Sequence, residues 1–361
     1  WLGFNWWQGW LLAISALSIV SFHQGLIISI LAIVLYIIPL TGSFGFVKKS
    51  GKWLFPAYFA IPLLWVLIVY KICNTPDALG VPWSMIEYTQ YQQTQLIQAA
   101  SIIGGIGIGA LIVLANVSVA SLYATLAGKT TFKSLAASSK TAAIRQIIYT
   151  LTIIISFFVF GVWDASKANV KTDCDLFIIQ GNVNIEMQKT QKKYSVEELL
   201  DTYEDLAGDS KNGVVVLSES AVPVYLNKNE ETVSRLQTIT RKNKLDLITG
   251  ALHRDKEGNP YNAAYGIGSD GKLAKTVYHK RYLVPFGEYP PVLLTFLPDA
   301  VRALTNTPAG SGFSAGQEPA VIDLPQGKIA PLICFECISP ELAASSTREG
   351  GELLVNVSDL A

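Results

Sequence analysis

Long stretches of this chain without acidic or basic residues constrain its fold more than any other feature. Two of them run from Gln24 to Leu40 and from Ile147 to Trp163. A helix that crosses a bilayer needs about 20 mostly apolar residues, and such uncharged runs are rare in soluble proteins. The sequence therefore predicts a multi-span α-helical membrane domain. Its five predicted spans cover residues 2–20, 25–46, 53–72, 99–125 and 147–163.

The charged residues divide the chain into two parts of different character. Up to Trp163 there are 8 Lys or Arg and 2 Asp or Glu, whereas the remaining residues include 20 and 26. We therefore predict a transmembrane helical domain over residues 1–165 and a soluble domain over residues 166–361. The chain starts inside an apolar stretch and stops inside a strand-like one, so we expect a fragment that is truncated at both ends.

Basic residues between the predicted spans indicate an orientation. The loops after the second and fourth spans are basic, whereas the loops after the first and third contain no Lys or Arg. Basic loops stay on the cytoplasmic side of a membrane, so we expect the domain after Trp163 to be extracytoplasmic. The basic residues are Lys48, Lys49 and Lys52 in one group, and Lys129, Lys133, Lys140 and Arg145 in the other.

Beyond residue 170, short apolar runs alternate with charged segments of helical period. This alternation, with two hairpins, predicts a layered α/β domain with a mixed sheet, and it leaves open whether the layers number two or four. Ser195 and Glu198 predict a capping box at the first of these helices. Strands are predicted over residues 175–180, 214–218, 245–250, 261–268, 272–280 and 352–358, a further hairpin over 320–333, and helices over 195–206 and 230–242.

Three reactive side chains, Glu219, Lys280 and Cys334, each stand at the end of a predicted strand. Strand ends in α/β sheets are where loops gather and sites form. A thiolate is a nucleophile, a carboxylate can move its proton, and an ammonium group can stabilise the oxyanion of an attacked carbonyl. Each residue alone is equally consistent with a capping, solvated or packing role. Their occurrence together, in this order, favours a catalytic site.

The three segments resemble the Glu–Lys–Cys motifs of the nitrilase, or carbon–nitrogen hydrolase, superfamily. Together with the membrane domain and the stretch Lys280-Arg-Tyr-Leu-Val-Pro-Phe-Gly-Glu-Tyr-Pro, nearly the whole chain resembles the bacterial apolipoprotein N-acyltransferase family. The resemblance implies a nitrilase-like αββα sandwich on the periplasmic side of the bacterial inner membrane. It also implies acyl transfer from a phospholipid to the diacylglyceryl-modified N-terminal cysteine of apolipoproteins, and no nucleic-acid partner.

The resemblance also implies a role for each site residue. Glu219 would be the general base, Lys280 the electrophilic stabiliser and Cys334 the nucleophile that forms a thioester in a ping-pong reaction. The backbone N–H of Phe335 would be a second oxyanion donor. Glu288 and Glu336 match acidic positions that support the site, and no metal or organic cofactor is expected.

Two segments depart from the family pattern. The family often has a tryptophan shortly after the strand end that is Gln180-Gly181-Asn182 here, and this chain has Met187-Gln188-Lys189 instead. The family has an Asn-x-Ser-Asn-Asp segment. In this chain the corresponding segment is one residue shorter and reads Asn356-Val357-Ser358-Asp359.

Other interpretations remain open at this stage. Cys334 and Cys337 have the Cys-x-x-Cys spacing of a redox pair or half a metal site. No second Cys or His pair is near them in sequence, and we expect Cys337 to be a neighbour of the nucleophile rather than its partner. A membrane-anchored amidase that uses the same three residues, or a non-catalytic lipid- or protein-binding module, are the alternative functions.

Overall fold

The computed structural model describes residues 57–73, 85–127, 139–167, 174–181, 195–208, 210, 212–285, 287–289 and 312–359. The chain forms two compact units, Trp1–Val170 and Lys171–Ala361. The predicted spans over 2–20 and 25–46 and the Met187 segment lie outside the described residues.

The first unit is helical. Helix α1 spans Ala57–Cys73, α2 spans Thr94–Ile97, α3 spans Ala100–Ala127 and α4 spans Lys140–Ser166, and a 3₁₀ helix spans Ile86–Gln90. Both α3 and α4 are long and apolar enough to cross a membrane, whereas α1 has 17 residues. The predicted spans over 53–72, 99–125 and 147–163 fall on α1, α3 and α4, respectively.

Helix α4 begins earlier than the predicted span. The Ser139 side chain accepts a hydrogen bond from the Ala142 N–H at 3.1 Å, and this N-cap starts the helix at Lys140. Lys140 and Arg145 therefore belong to the first turns of α4, whereas the sequence analysis placed them in the linker before it. Both basic residues still lie at the N-terminal end of α4.

Helices α1, α3 and α4 are joined by hydroxyl groups inside an apolar contact. The Thr150 hydroxyl lies 2.6 Å from the Tyr58 hydroxyl and 2.7 Å from the Ser118 hydroxyl, and Thr150 and Ser118 are buried. Ile61 and Leu114 pack beside this group. Hydroxyl pairs of this kind satisfy one another where no water is available.

The second unit contains a mixed sheet of six strands. In the order β1-β2-β4-β5-β6, the first three strands are parallel and the last two are antiparallel to their neighbours, and β3 pairs with β4. Its elements are β1 Asp175–Ile179, α5 Val196–Ala207, β2 Gly213–Leu217, β3 Val222–Tyr225, a 3₁₀ helix Leu226–Lys228, α6 Glu230–Asn243, β4 Asp246–Arg254, β5 Pro260–Ile267 and β6 Tyr278–His279.

A second sheet of three strands follows. It consists of β7 Ile322–Leu324, β8 Gly327–Ile333 and β9 Leu353–Val357, with a 3₁₀ helix Cys334–Ile338 and helix α7 Pro340–Arg348 between β8 and β9. Strand β8 is antiparallel to β7 and parallel to β9.

The two sheets face each other, and helices cover their other faces. Val216 and Ile248 of the first sheet pack with Ile329 and Ile333 of the second in one buried cluster. The opposite face of the first sheet packs against Leu199, Tyr203 and Leu236 of α5 and α6. Helix α7 packs against β8 of the second sheet. The order helix, sheet, sheet, helix resolves the number of layers as four and confirms the predicted αββα sandwich.

Several predicted elements need correction. The strand predicted over 272–280 is only the two-residue β6, because the chain before it turns away after one isolated bridge between Ile267 and Leu273. Strand β3 and helix α7 were not predicted. The capping box is confirmed, since the Ser195 hydroxyl accepts from the Glu198 N–H at 3.1 Å and the Glu198 carboxylate accepts from the Ser195 N–H at 2.7 Å.

Candidate active site

Glu219 follows β2 in a tight turn. The neighbouring strand β4 can pass close to this turn only because it has a glycine, Gly250, at that point. Ser220 has a φ of 53°, and the Gly250 N–H of β4 donates to the Ser218 carbonyl at 3.2 Å. A Cβ on Gly250 would lie 2.7 Å from the Glu219 Cα, closer than real contacts permit. Gly250 therefore lets the β4 backbone pass directly beside the turn that holds Glu219.

Lys280 comes directly after β6 and is fixed on both sides by backbone hydrogen bonds. Its N–H donates to the Asn262 carbonyl at 2.8 Å, and its carbonyl accepts from the Gly316 N–H at 2.8 Å. The side chain is 1% exposed. Its Nζ lies 2.9 Å from Glu288 Oε1 and 3.3 Å from Glu219 Oε1. A buried ammonium group is stable only when it is paired in this way.

These ion pairs keep Lys280 positively charged. Burial by itself lowers the pKa of Lys280, but the carboxylates of Glu288 and Glu219 have the opposite effect and leave the pKa above its usual value. The ammonium form therefore persists throughout the neutral pH range. A fixed positive charge is the property that an oxyanion stabiliser needs.

Cys334 lies where β8 ends and the 3₁₀ helix begins. Its φ of 53° is unusual for a residue with a side chain and marks a sharp turn of the backbone. Burial raises the pKa of the Cys334 thiol, and the Glu219 carboxylate raises it further. The Lys280 ammonium and a hydrogen bond with Ser358 lower it. The thiol thus interacts with both of the other predicted catalytic residues.

Glu336 connects the Cys334 turn to the segment after Lys280. Its Oε1 accepts from the N–H groups of Arg281 and Tyr282 at 2.7 and 2.9 Å. Its Oε2 accepts from the Ile333 N–H and the Tyr278 hydroxyl, both at 2.8 Å. The residue has no exposed surface, and burial raises its pKa. These four bonds fix the ends of β6 and β8 relative to each other.

The two remaining predicted residues lie beside these groups. Glu288 Oε2 accepts from the Val284 N–H at 2.8 Å, which orients its other oxygen toward Lys280. The Phe335 ring stacks on the Tyr282 ring with a centroid distance of 5.6 Å. Every site residue predicted from the sequence is therefore in one region of the second unit.

The sequence analysis missed one member of this region, Asn262 on β5. Its Nδ2 donates to Glu219 Oε1 at 2.7 Å and to Glu288 Oε1 at 2.9 Å, and the residue is 4% exposed. The available signal was a polar residue that begins the apolar run Ala263-Ala264-Tyr265. That signal became informative only once β5 was known to pair with β6.

Both cysteines of this region, Cys334 and Cys337, are free thiols. Cys334 is half-buried, whereas Cys337 is exposed. Within the described ranges, no group of three or more His, Cys, Asp or Glu side chains is placed to hold a metal ion.

Comparison with known proteins gives matches over both units. Residues 1–118 match the apolipoprotein N-acyltransferase N-terminal domain. An apolipoprotein N-acyltransferase from Geobacter metallireducens is 30% identical over 309 residues, which cover 83% of this chain and 56% of that protein. One from Haemophilus ducreyi is 28% identical over 287 residues, covering 78% and 53%. The chain thus spans about half the length of these curated relatives.

Solved structures match about half of the chain. A carbon–nitrogen hydrolase from Helicobacter pylori is 21% identical with a TM-score of 0.37, and the match covers 51% of this chain and 59% of that one. The C. elegans NitFhit protein is 20% identical with a TM-score of 0.37, over 51% and 43%.

The family model named carbon–nitrogen hydrolase matches residues 178–361, which are half of the chain. That range includes both sheets of the sandwich, except for the first three residues of β1, and every residue of the site described above. The chain therefore belongs to the carbon–nitrogen hydrolase family.

Proposed function

We propose that this protein transfers an acyl chain from a phospholipid to the N-terminal lipidated cysteine of apolipoproteins, through a thioester on Cys334. The match of residues 1–118 to an acyltransferase N-terminal domain supports this function over other reactions of the family. The curated relatives named apolipoprotein N-acyltransferase support it as well.

A membrane setting follows from the same proposal. Helices α3 and α4 have the length and composition of membrane spans, and their exposed surface includes large apolar side chains such as Val119, Ile155 and Val159. The basic residues around 129–145 then assign that end to the cytoplasm. The catalytic unit is accordingly on the periplasmic side of a bacterial inner membrane, where phospholipid and lipidated protein are both available.

The first half of the reaction loads the enzyme. Glu219 takes the thiol proton of Cys334, and the sulfur attacks the ester carbonyl of the phospholipid. Lys280 and the Phe335 N–H stabilise the negative charge that develops on the carbonyl oxygen. The bond from the carbonyl carbon to the glycerol oxygen then breaks, and Glu219 returns its proton to that oxygen. A lysophospholipid leaves, and the acyl chain remains on Cys334 as a thioester.

The second half transfers the acyl chain. The α-amino group of the lipidated cysteine attacks the thioester carbonyl, and the same two donors stabilise the oxyanion. Glu219 removes a proton from the attacking nitrogen, and the carbon–sulfur bond breaks. The proton passes to the departing sulfur, which regenerates the Cys334 thiol and releases an amide.

One observation carries this mechanism. The buried Lys280 ammonium lies between the carboxylates of Glu219 and Glu288, and the Cys334 thiol interacts with both Glu219 and Lys280. A base, a fixed cation and a nucleophile that act on one another electrostatically are the groups that a thioester mechanism needs.

The test is to incubate the full-length enzyme in detergent with a phospholipid that carries a labelled acyl chain. Peptide mass spectrometry should find the acyl mass on Cys334, and a later addition of a diacylglyceryl-modified peptide should remove it and acylate the peptide amine. Cys334→Ala should abolish both steps, whereas Cys337→Ala should retain them. Transfer to the peptide without any adduct on Cys334 would refute the thioester scheme.

A further inference from the structure

We propose that Asn262 is a positioning residue of this site, which holds the Glu219 and Glu288 carboxylates in register by donating from its side-chain amide to both. This role rests on the proposed function, because the carboxylate that it orients is the proposed general base. No sequence motif identified it.

The contacts of Asn262 form a closed ring with Lys280. Glu219 Oε1 accepts from Asn262 Nδ2 at 2.7 Å and from Lys280 Nζ at 3.3 Å. Glu288 Oε1 accepts from the same two nitrogens at 2.9 Å each. Each carboxylate oxygen is therefore shared by one charged and one neutral donor. Neither carboxylate can turn away without losing bonds to both.

A neutral donor is the appropriate group at this point of the ring. Two carboxylates already share one ammonium group. Because like charges repel at such short distances, they raise the free energy of the ionised site. A second cation in place of Asn262 would compete with Lys280 for both carboxylates. An amide N–H₂ supplies two hydrogen bonds without changing the net charge.

The orientation of the amide supports this interpretation. Asn262 Oδ1 is buried, and among the described residues it has no hydrogen-bond partner. Exchanging the amide nitrogen and oxygen would place that oxygen against two carboxylate oxygens, so the carboxylates determine which end faces them. The side chain therefore keeps its nitrogen on the two carboxylates.

The backbone gives this short side chain a fixed starting point. Asn262 pairs with Leu252 of β4, and its carbonyl accepts the Lys280 N–H at 2.8 Å. The strand that carries Asn262 thus also holds the backbone of Lys280. One residue sets the distance between the cation and the two carboxylates through its main chain and its side chain together.

The experiment compares Asn262→Ala and Asn262→Asp with wild type in the full-length enzyme. It measures the single-turnover rate of Cys334 acylation from a labelled phospholipid, from about pH 6 to about pH 9. We expect Asn262→Ala to lose about 10- to 100-fold at every pH, by analogy with the loss when groups that orient the ligands of a metal site are removed. Ser234→Asp, which adds the same charge on the exposed face of α6, is the control and should behave as wild type.

The Asn262→Asp variant distinguishes a positioning role of Asn262 from a purely structural one. Two neighbouring carboxylates raise the pKa of a third, so the new side chain is a neutral donor at low pH and an anion at high pH. Its acylation rate relative to wild type should therefore fall as the pH rises. Equal losses for both variants with one common pH profile, or wild-type rates for Asn262→Ala, would overturn the proposal.

A second measurement separates this proposal from the proposed function. Alkylation of Cys334 by iodoacetamide requires no substrate, and it reports the fraction of thiolate. At about pH 8 the ionised aspartate should slow alkylation relative to wild type and Ser234→Asp, because added negative charge raises a thiol pKa. An unchanged alkylation rate in Asn262→Asp contradicts the role of Asn262. Absence of acylation in wild type contradicts the function instead. This assay also applies if Asn262→Ala does not fold.

Discussion

At the scale of single residues, Cys334 is influenced by two groups of opposite charge. The Glu219 carboxylate raises the pKa of the thiol, whereas the Lys280 ammonium lowers it, and burial leaves the pKa above its ordinary value. The resting enzyme therefore holds a protonated thiol next to a carboxylate. Such a pair needs proton transfer to Glu219 before or during attack on the substrate, which is the function of a general base.

This arrangement predicts opposite effects on two measurements of the same variant. In Glu219→Gln, loss of the negative neighbour should lower the Cys334 pKa and raise the rate of its alkylation at neutral pH, on the order of tenfold when a thiol pKa falls by about one. The same variant should lose acyl transfer, because no base remains. Lys280→Met should slow alkylation and also lose transfer.

Peptide mass spectrometry of iodoacetamide-treated protein measures Cys334 separately from the exposed thiol of Cys337. The Cys337 rate serves as the internal control and should be the same in all variants. Slower alkylation of Cys334 in Glu219→Gln would show that the carboxylate does not act on the thiol as inferred.

Residues at strand ends were predictable from sequence, and residues inside strands were not. Glu219, Lys280 and Cys334 stand out because a polar or reactive group directly follows an apolar run. Asn262 has its chemical role only because β5 lies between β4 and β6. That pairing depends on contacts between distant segments, which local periodicity does not encode.

At the scale of elements, the site depends on backbone segments that approach each other closely. Gly250 of β4 touches the Glu219 turn, and Gly316 touches β6, where an added Cβ would lie 2.4 Å from the His279 carbonyl oxygen. A side chain at Gly250 would displace the turn that carries Glu219, and one at Gly316 would displace the strand that precedes Lys280. The glycines thus determine where the acid and the cation lie.

Gly250→Ala tests this dependence. The new methyl group would lie 2.7 Å from three backbone atoms of residues 218–220, so the turn must shift. We expect a loss of about 1–3 kcal/mol in unfolding free energy, as for other overpacked sites, together with a loss of acyl transfer. Thermal or denaturant unfolding and single-turnover acylation measure the two effects.

Gly287→Ala is the control for this prediction. A Cβ there would meet Val284 at 3.6 Å, which is ordinary van der Waals contact. The control should unfold and react as wild type. A Gly250→Ala enzyme with wild-type stability and activity would contradict the close approach of β4 to the Glu219 turn.

The predicted elements were accurate where local signals exist. The capping residues Ser195 and Glu198 defined the start of α5. Helix α7 had a comparable signal, with Ser339 as N-cap and Pro340 in the first turn, and it was overlooked. Strand β3 has 4 residues, and its irregular pairing with β4 gives it no clear alternation to detect. The predicted length of β6 was wrong because composition alone does not distinguish a turn from a strand.

At the scale of the whole molecule, the division of charge and apolar residues carried most of the information. The first 163 residues hold 10 of the 56 charged residues, and the family matches also assign an acyltransferase N-terminal domain to 1–118 and a hydrolase domain to 178–361. Sequence patterns predicted both the helical unit and the α/β unit, because the proportions of apolar and charged residues differ between segments that prefer lipid and segments that prefer water.

The proposed orientation of the catalytic unit rests on the loop charges, and labelling of a single thiol can test it. Cys337 is exposed on the 3₁₀ helix after β8. In an enzyme whose other cysteines are replaced, a membrane-impermeant maleimide added to cells with a permeabilised outer membrane should label Cys337. We expect this because the basic residues at 129–145 assign the opposite end of α4 to the cytoplasm.

A second single-cysteine enzyme, Lys140→Cys without Cys337, reports the other side of the membrane. Lys140 is exposed in the first turn of α4, and its cysteine should be labelled only after the inner membrane is opened. Labelling of Lys140→Cys in intact cells, with Cys337 protected, would reverse the orientation. In that case the donor would have to come from the cytoplasmic leaflet, and lipidated proteins that are already exported would be inaccessible to Cys334. The pattern of labels therefore tests whether the proposed acceptor can reach the nucleophile.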